Sequence, residues 1–413
     1  MTDLEAPVPG KGPLHGIKVV EFSQYIAAPG AGMLLADLGA EVIKVEPLSG
    51  DAARQVTTGA RGLSAMFTAY NRHKRSIAID LRNPVGRQLA RELALSADVV
   101  LQNARAGAMD KLGLGAQALR AEKPGLIYAS ISGFGVQGPS KERPGLDIAA
   151  QAESGMMSIN GETGRPPLKV GHAVIDATTS LVLSHAILAA LVHRGRTGEG
   201  ETINTSLLEV GVHLQQANWA DYGIIGEIPG RCGNGQPTIA PAADVVEVTD
   251  GFLVISAYVP EHFKRLCGAL QLGDLSSDPR FDSNANRVAN RPALMELIQG
   301  AMRHMSGEDA RALLESNGVV AGVVRDYAQV RASADILANQ VFVPVTNSRG
   351  DVIDVPGLPY HLTGHASATP PTLADIGQHS AEVVRELGYS AEQVEELVRA
   401  GVINTGQPVP VTA

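Results

Sequence analysis

Cysteine is nearly absent from these 413 residues: Cys232 and Cys267 are the only two. Two thiols build neither a disulfide framework nor a four-thiolate metal site. Aromatic residues are few, at 4%, so packing built on alanine and glycine is expected. An excess of positive charge is also missing: 34 Lys and Arg stand against 43 Asp and Glu, a net charge of −9. Such a chain is a poor partner for nucleic acid or an anionic membrane surface, and an anionic ligand must find a local basic patch. No uninterrupted apolar run approaches the ~18 residues of a membrane span. Residues Met1 to Pro13 are polar and hold no apolar signal core, so secretion is not expected and the cytoplasm is. Internal repeats and low-complexity runs are lacking. Disorder is excluded by 44% hydrophobic against 19% charged residues.

Several motifs are missing as well. The turn after the first apolar run, Ser23 to Gly32, has glycines only at Gly30 and Gly32, so it is no dinucleotide fingerprint. The glycine loop Gly230 to Pro237 has no Walker lysine. No Gly-x-Ser-x-Gly elbow occurs. His172, His262, His361 and His379 are scattered without metal-ligand spacing, so no metal is expected.

What is present is an alternation of short apolar runs with helical stretches. Ile17–Phe22, Glu41–Glu46, Ser76–Asp80, Asp98–Leu101, Leu126–Ile131 and Glu201–Leu207 read as strands. Ala31–Leu38, Pro84–Ser96, Ala104–Leu112 and the Ala/Leu-rich Asp176–Arg194 read as helices. Repeated strand–helix–strand units predict α/β architecture with a doubly wound parallel sheet. The texture changes near residue 221. A Gly/Pro-punctuated loop runs to Pro241, and a hairpin over Asp244–Ala257 turns at Asp250-Gly251. Helices follow around Glu261–Leu270 and Pro292–Met305. These shifts predict a large domain over 1–224, a smaller α+β domain over 225–325, and a return to the large domain over 326–413 with helices near Ser380–Leu387 and Ala391–Ala400.

Three places can carry chemistry. Asp176 opens a long helix, where a carboxylate serves as an N-cap in the field of the helix dipole. An ionised carboxylate is also what covalent catalysis by Asp requires, and the two roles are compatible. Tyr70 to Ser76 is the densest basic run of an acidic chain. It reads either as a solvated turn or as a phosphate clamp made by Arg72, Lys74 and Arg75. Gly230 to Pro237 is either an interdomain turn or a loop whose amides approach a substrate. Cys232 within it has no assignable His partner and is read as packing.

Stretches along nearly the whole chain resemble the class III CoA-transferase family, the CaiB/BaiF type. They include Leu14–Phe22, Leu34–Pro47, Asn71–Ser76, Ser130–Gly135, Arg194–Gly200, Arg231–Asn234, Asn317–Gly322 and Ile376–His379. The family holds formyl-CoA and carnitine CoA-transferases and α-methylacyl-CoA racemases. The resemblance implies a Rossmann-like large domain, a small central domain and an interlocked homodimer, with a heteromer of paralogous subunits as the alternative. It implies an acyl-CoA donor, a carboxylate acceptor, coenzyme A as the carried group, and no redox nucleotide. Catalysis falls on Asp176 and on the loop Gly233, Asn234, Gly235. CoA contacts fall on Gln24, Tyr25, Ile26 and Ala27; on Arg72, Lys74 and Arg75; on Asn103, Ala104 and Arg105; and on Lys111. Substrates implied are small mono- or dicarboxylates, with succinyl-CoA as donor by family frequency alone.

The departures are informative. Racemase members carry Gly-His-Asp where this chain reads Gly145-Leu146-Asp147, and a leucine moves no proton. Transfer is therefore favoured over 2-methylacyl-CoA racemisation. Ile26 stands where some transferases have Gln, and Phe134 where some have Tyr, which argues against formyl-CoA as substrate. Gln236 replaces a common His, and Ala242 and Ala243 replace bulkier residues, implying a pocket that is wider or tuned to a different carboxylate. Arg165, Lys169 and His172, upstream of Asp176, read either as a solvated loop, the favoured reading, or as the source of one group that neutralises a second substrate carboxylate. A catalytically silent CoA-binding subunit is the remaining alternative, and the presence of Asp176 argues against it.

Overall fold

The computed structural model describes residues 12–56, 63–236, 239–363 and 371–406. Six strands form a parallel sheet: β1 (Lys18–Phe22), β2 (Glu41–Glu46), β3 (Lys74–Ile79), β4 (Val99–Gln102), β5 (Ile127–Ser132) and β6 (Thr202–Ser206). Their spatial order is β3-β2-β1-β4-β5-β6, so the winding reverses between β1 and β4. Ligands of open parallel sheets bind outside the carboxyl ends at such a reversal. Side chains alternate across the sheet as a two-residue period requires. Val20, Ile43, Ile77 and Val100 enter one buried cluster, while Val19, Val42, Val99 and Ile127 enter the other.

The second of these clusters is closed by α1 (Ala27–Asp37) and a 24-residue helix, Val174–Thr197. α1 begins four residues before the expected start. Pro29 lies in its first turn, where the missing amide costs no hydrogen bond. Gly30 and Gly32 are helical rather than turn residues. A Cβ on Gly30 would stand 2.3 Å from the Ser180 Oγ, and one on Gly32 would stand 2.0 Å from the Glu21 Oε2. Close approach of backbone to side chain explains both glycines. Beyond α1 lie α2 (Ala65–Tyr70), α3 (Pro84–Ser96), α4 (Asp147–Glu153), α5 (the helix Val174–Thr197) and α6 (Leu207–His213). By length and composition α5 could cross a membrane, yet Ile175, Leu183, Ile187 and Ala190 are buried in the core. The expected helix over 104–112 shrinks to a single turn, Ala108–Lys111, begun by Gly107 at φ 73°.

The chain divides into two compact units. The first comprises the described residues up to Met156, Val170–Trp219 and the described residues from Gln340 onward. Its late part adds a small sheet, β10 (Phe342–Asn347), β11 (Val352–Pro356) and β12 (Thr372–Leu373). It ends on β13 (Ile403–Asn404), which pairs antiparallel with β3 at the large sheet's edge. The second unit comprises Met157–Lys169 and Ala220–Asn339. It holds an antiparallel sheet of β7 (Ala242–Val248), β8 (Gly251–Ala257) and β9 (Val320–Val323), in that order. Helices Pro260–Ala269, Arg291–Met302 and Gly307–Ser316 bring Phe263, Leu266, Ile298 and Leu314 to its core. The sequence reading drew the small domain over 225–325. In the structure, 157–169 groups with that unit, because the Gly233 amide donates to the Gly161 carbonyl at 2.9 Å and the Thr163 hydroxyl to the Arg231 carbonyl at 2.6 Å.

Candidate active site

A cleft of about 980 Å³ opens at the carboxyl ends of the parallel strands. Two turns meet there, one after β1 and one after β4, on either side of the reversal. Asn103 clamps them together: its Nδ2 donates to the Gln24 carbonyl at 2.8 Å, and its Oδ1 accepts from the Gln24 amide at 3.0 Å. Gln24, Tyr25, Ile26, Ala27, Asn103, Ala104 and Arg105 all line the cleft. Tyr25 has φ 69°, in the left-handed region that a tyrosine rarely adopts. Its side chain is 42% exposed. The turn is held from beneath by Asp51, which accepts from the amides of Ala53 at 2.9 Å and Tyr25 at 3.4 Å.

Asp176 also lines this cleft, half-buried in the first turn of α5. Burial, with the Asp147 carboxylate second, pushes its carboxyl up to about 7. The expected capping role belongs to another residue. Asp147 Oδ1 accepts from the Ile175 and Asp176 amides at 2.8 and 3.1 Å. The Asp176 carboxyl group is therefore not consumed by capping. Leu146, 61% exposed, lines the same cleft, as does Leu207.

The basic run is placed elsewhere. Arg72, Lys74 and Arg75 do not line the cleft, because the run lies at the amino end of β3, away from the end where the cleft opens. Arg72 Nε donates to Asp37 at 3.0 and 3.1 Å. Lys74 Nζ is buried against Glu21 Oε2 at 2.8 Å, the Pro29 carbonyl at 2.7 Å and Asn71 Oδ1 at 3.0 Å. Arg75 pairs with Glu386, Glu382 and Glu41. These three cations make ion pairs within the chain. Lys111 is exposed on the turn whose Ala108 and Met109 line the cleft, but is not itself a lining residue.

The cations that do line it were missed apart from Arg105: they are Arg82, Lys141 and Arg143. Arg82 follows the carboxyl end of β3 and pairs with Asp80 at 3.0 Å. Arg143 pairs with Glu153 at 2.7 Å and lies 4.3 Å from the centre of the Phe134 ring. A cation just past the end of a parallel strand was the available clue.

Gly233, Asn234 and Gly235 belong to the second unit. The Gly233 amide is taken by the Gly161 carbonyl, so it is not available to a ligand. The Gly235 carbonyl accepts from the Cys232 thiol at 3.2 Å, and Gln236 Oε1 accepts from the Tyr258 hydroxyl. Among the described residues no group of His, Cys, Asp and Glu is arranged to hold a metal ion.

The sequence matches the model of CoA-transferase family III over residues 14–380. The chain belongs to this family. A succinate–glutarate CoA-transferase of Agrobacterium fabrum is 36% identical over 395 residues, covering 94% of this chain and 98% of that one. A succinyl-CoA:glutarate CoA-transferase of Mus musculus is 34% identical, covering 95% and 90%. Among solved structures, a CAIB/BAIF family protein from Brucella suis superposes with a TM-score of 0.82 at 36% identity, covering 91% of this chain and 100% of that one. The protein is a class III CoA-transferase, and coenzyme A is the group such enzymes carry.

Proposed function

We propose that the protein moves coenzyme A from an acyl-CoA to a free carboxylate through covalent intermediates on Asp176. The observation that carries this reading is the Asp176 carboxyl group, uncommitted to capping, on the wall of a cleft that also presents Arg82, Arg105, Lys141 and Arg143. A CoA pyrophosphate and 3′-phosphate suit such cations, by fork and by point charge.

The steps balance without an external reagent. An Asp176 oxygen attacks the thioester carbon, the C–S bond breaks, and CoA thiolate leaves behind a mixed anhydride. The thiolate attacks the aspartyl carbonyl and expels the donor as its free carboxylate. The acceptor carboxylate attacks the resulting aspartyl thioester, releasing thiolate and forming a second anhydride. Thiolate attack on the acceptor's acyl carbon then regenerates the Asp176 carboxylate. One thioester replaces another, so the reaction is nearly isoenergetic. The protein's work is to hold the thiolate and keep water from the anhydrides. Small dicarboxylates, with succinyl-CoA as donor, are the proposed substrates, in line with the names of the relatives. Leu146 in the cleft favours transfer over racemisation, since it supplies no proton.

A matrix of acyl-CoA donors and carboxylate acceptors, read by mass spectrometry, tests the activity. Hydroxylamine or borohydride trapping followed by peptide mapping tests the intermediate. A productive donor that leaves no mark on Asp176 refutes the covalent route. The cations give a separate prediction. Arg105→Glu is expected to raise KM for acyl-CoA about tenfold or more, the scale of one charge-assisted contact. Arg72→Met is expected to lower thermal stability and leave KM near the wild-type value. The reverse pattern would return the phosphate clamp to the basic run.

A further inference from the structure

α5 starts without a cap of its own. Its N-cap residue, Ala173, has no polar side chain, and Asp147 serves from 29 positions upstream by taking the amides of Ile175 and Asp176. Asp147 is held in turn. Its Oδ2 accepts from Gln151 Nε2 at 2.5 Å, and Gln151, fully buried, accepts the Val170 amide on Oε1 at 2.8 Å. Each of these partners of Asp147 is an N–H donor, the set that a carboxylate anion satisfies.

We propose that Asp147 is a positioning residue for the transfer reaction: it fixes the first turn of α5 and sets a negative charge behind the Asp176 carboxylate, so that attack on a thioester carries charge away from a like charge. The inference rests on the proposed role of Asp176 as nucleophile. Attack shifts the Asp176 charge first to the tetrahedral oxyanion and then to the thiolate. Repulsion felt in the ground state is thereby relieved in the transition state, which is the condition for an interaction to speed the step. The raised carboxyl of Asp176, due to burial first and Asp147 second, is in keeping with this.

Other ionisable groups are placed around the pair. Tyr70 of α2 has its phenol pushed up by burial, then by Asp176 and Asp147. Along α4, Glu153 is paired with Arg143. α6, packed on α4, brings Glu209, which accepts from the Ser206 hydroxyl at 2.8 Å, and His213. His172 precedes α5, and its carbonyl accepts from Gln151.

Asp147→Asn removes the charge but sets its Nδ2 against Gln151 Nε2, donor to donor. Asp147→Asn with Gln151→Glu restores an acceptor there, still serves the Val170 amide, and moves the charge one residue outward. Carbodiimide coupling requires a protonated carboxyl, so the pH midpoint of Asp176 labelling, mapped by peptide mass spectrometry, reads its titration without any activity. Asp147→Asn is expected to lower that midpoint by about one unit and to slow exchange between succinyl-CoA and labelled succinate about tenfold at pH 8. The double variant is expected to recover thermal stability and only part of the exchange rate. An unchanged midpoint in Asp147→Asn, or full recovery of exchange in the double variant, overturns the proposal and leaves a purely structural cap. Absence of wild-type exchange with succinate and with every other acid of the matrix would instead remove the transferase reading, whatever the midpoint shows.

Discussion

Asp176→Asn is expected to lower CoA transfer at least about a thousandfold, the scale at which removal of a covalent nucleophile is felt. The amide keeps the shape and the helix turn, because the amides of Ile175 and Asp176 are served by Asp147 and not by the side chain at 176. Folding is therefore preserved. It is in fact expected to improve at alkaline pH. The Asp176 carboxyl sits at about 7 rather than its ordinary 3.8, so between those values the native state binds more protons than the unfolded chain. Stability falls as pH rises through that window, and the full penalty is present above about 7. The shift corresponds to roughly 4 kcal/mol at most. Solvent in the cleft reduces this to about 1–2 kcal/mol. Asn carries no such penalty. Denaturant titration at pH 8 should find the variant more stable than wild type, with the gap closing toward pH 5. In the wild type, the rate should fall as pH drops below about 7, when the nucleophile is neutralised. An active Asp176→Asn enzyme, or a stability gap that widens toward acid, would remove Asp176 from the reaction.

The same residue shows what a linear reading can and cannot reach. Asp at the head of an Ala-rich helix reads equally as cap or nucleophile, since both want an ionised carboxylate there. The ambiguity ends only when Asp147, 29 residues away, is seen to hold the amides. Long-range capping leaves no trace in spacing. The parallel sheet was legible because its strands are buried on both faces and read as short apolar runs between helices. The start of α1 was not, because Pro29, Gly30 and Gly32 look like a turn. Their actual reasons are a first-turn proline and two close approaches, to Ser180 and Glu21. Arg72, Lys74 and Arg75 are a related case. Charge density marks a basic patch only if its counter-ions are elsewhere, and here Asp37, Glu21, Glu41, Glu382 and Glu386 supply them from distant segments. Arg82, a single arginine beyond the carboxyl end of β3 and paired with Asp80, lines the cleft but has the weaker pattern.

Lys44→Met is expected to be the most damaging substitution to the fold outside the apolar cores, costing about 3–5 kcal/mol. Lys44 is 1% exposed, and its Nζ meets Glu21 Oε1, Asp51 Oδ2 and the Ser23 carbonyl, each at 2.9 Å. With Lys74, this sets two cations against two carboxylates in a site closed to water. Methionine fills the volume but leaves Asp51 without its ion pair and Glu21 with Lys74 alone. Burial by itself would raise Glu21, yet Lys44 and Lys74 hold it below the ordinary carboxylate range. Its contribution is thus present above the ordinary range and lost as pH falls through the lowered value. In the variant Glu21 protonates more readily, so the stability deficit should be large at pH 7 and shrink toward pH 4.5. The cluster also reaches the cleft. Asp51 supports the left-handed Tyr25, and Lys44 holds the Ser23 carbonyl one residue before Gln24. A conformation strained at Tyr25 persists only while its surroundings over-determine it. Lys44→Met should therefore raise KM for acyl-CoA in the fraction that remains folded, although Lys44 itself does not line the cleft. Unchanged KM together with lowered stability would separate the ionic cluster from the turn and confine its role to the fold.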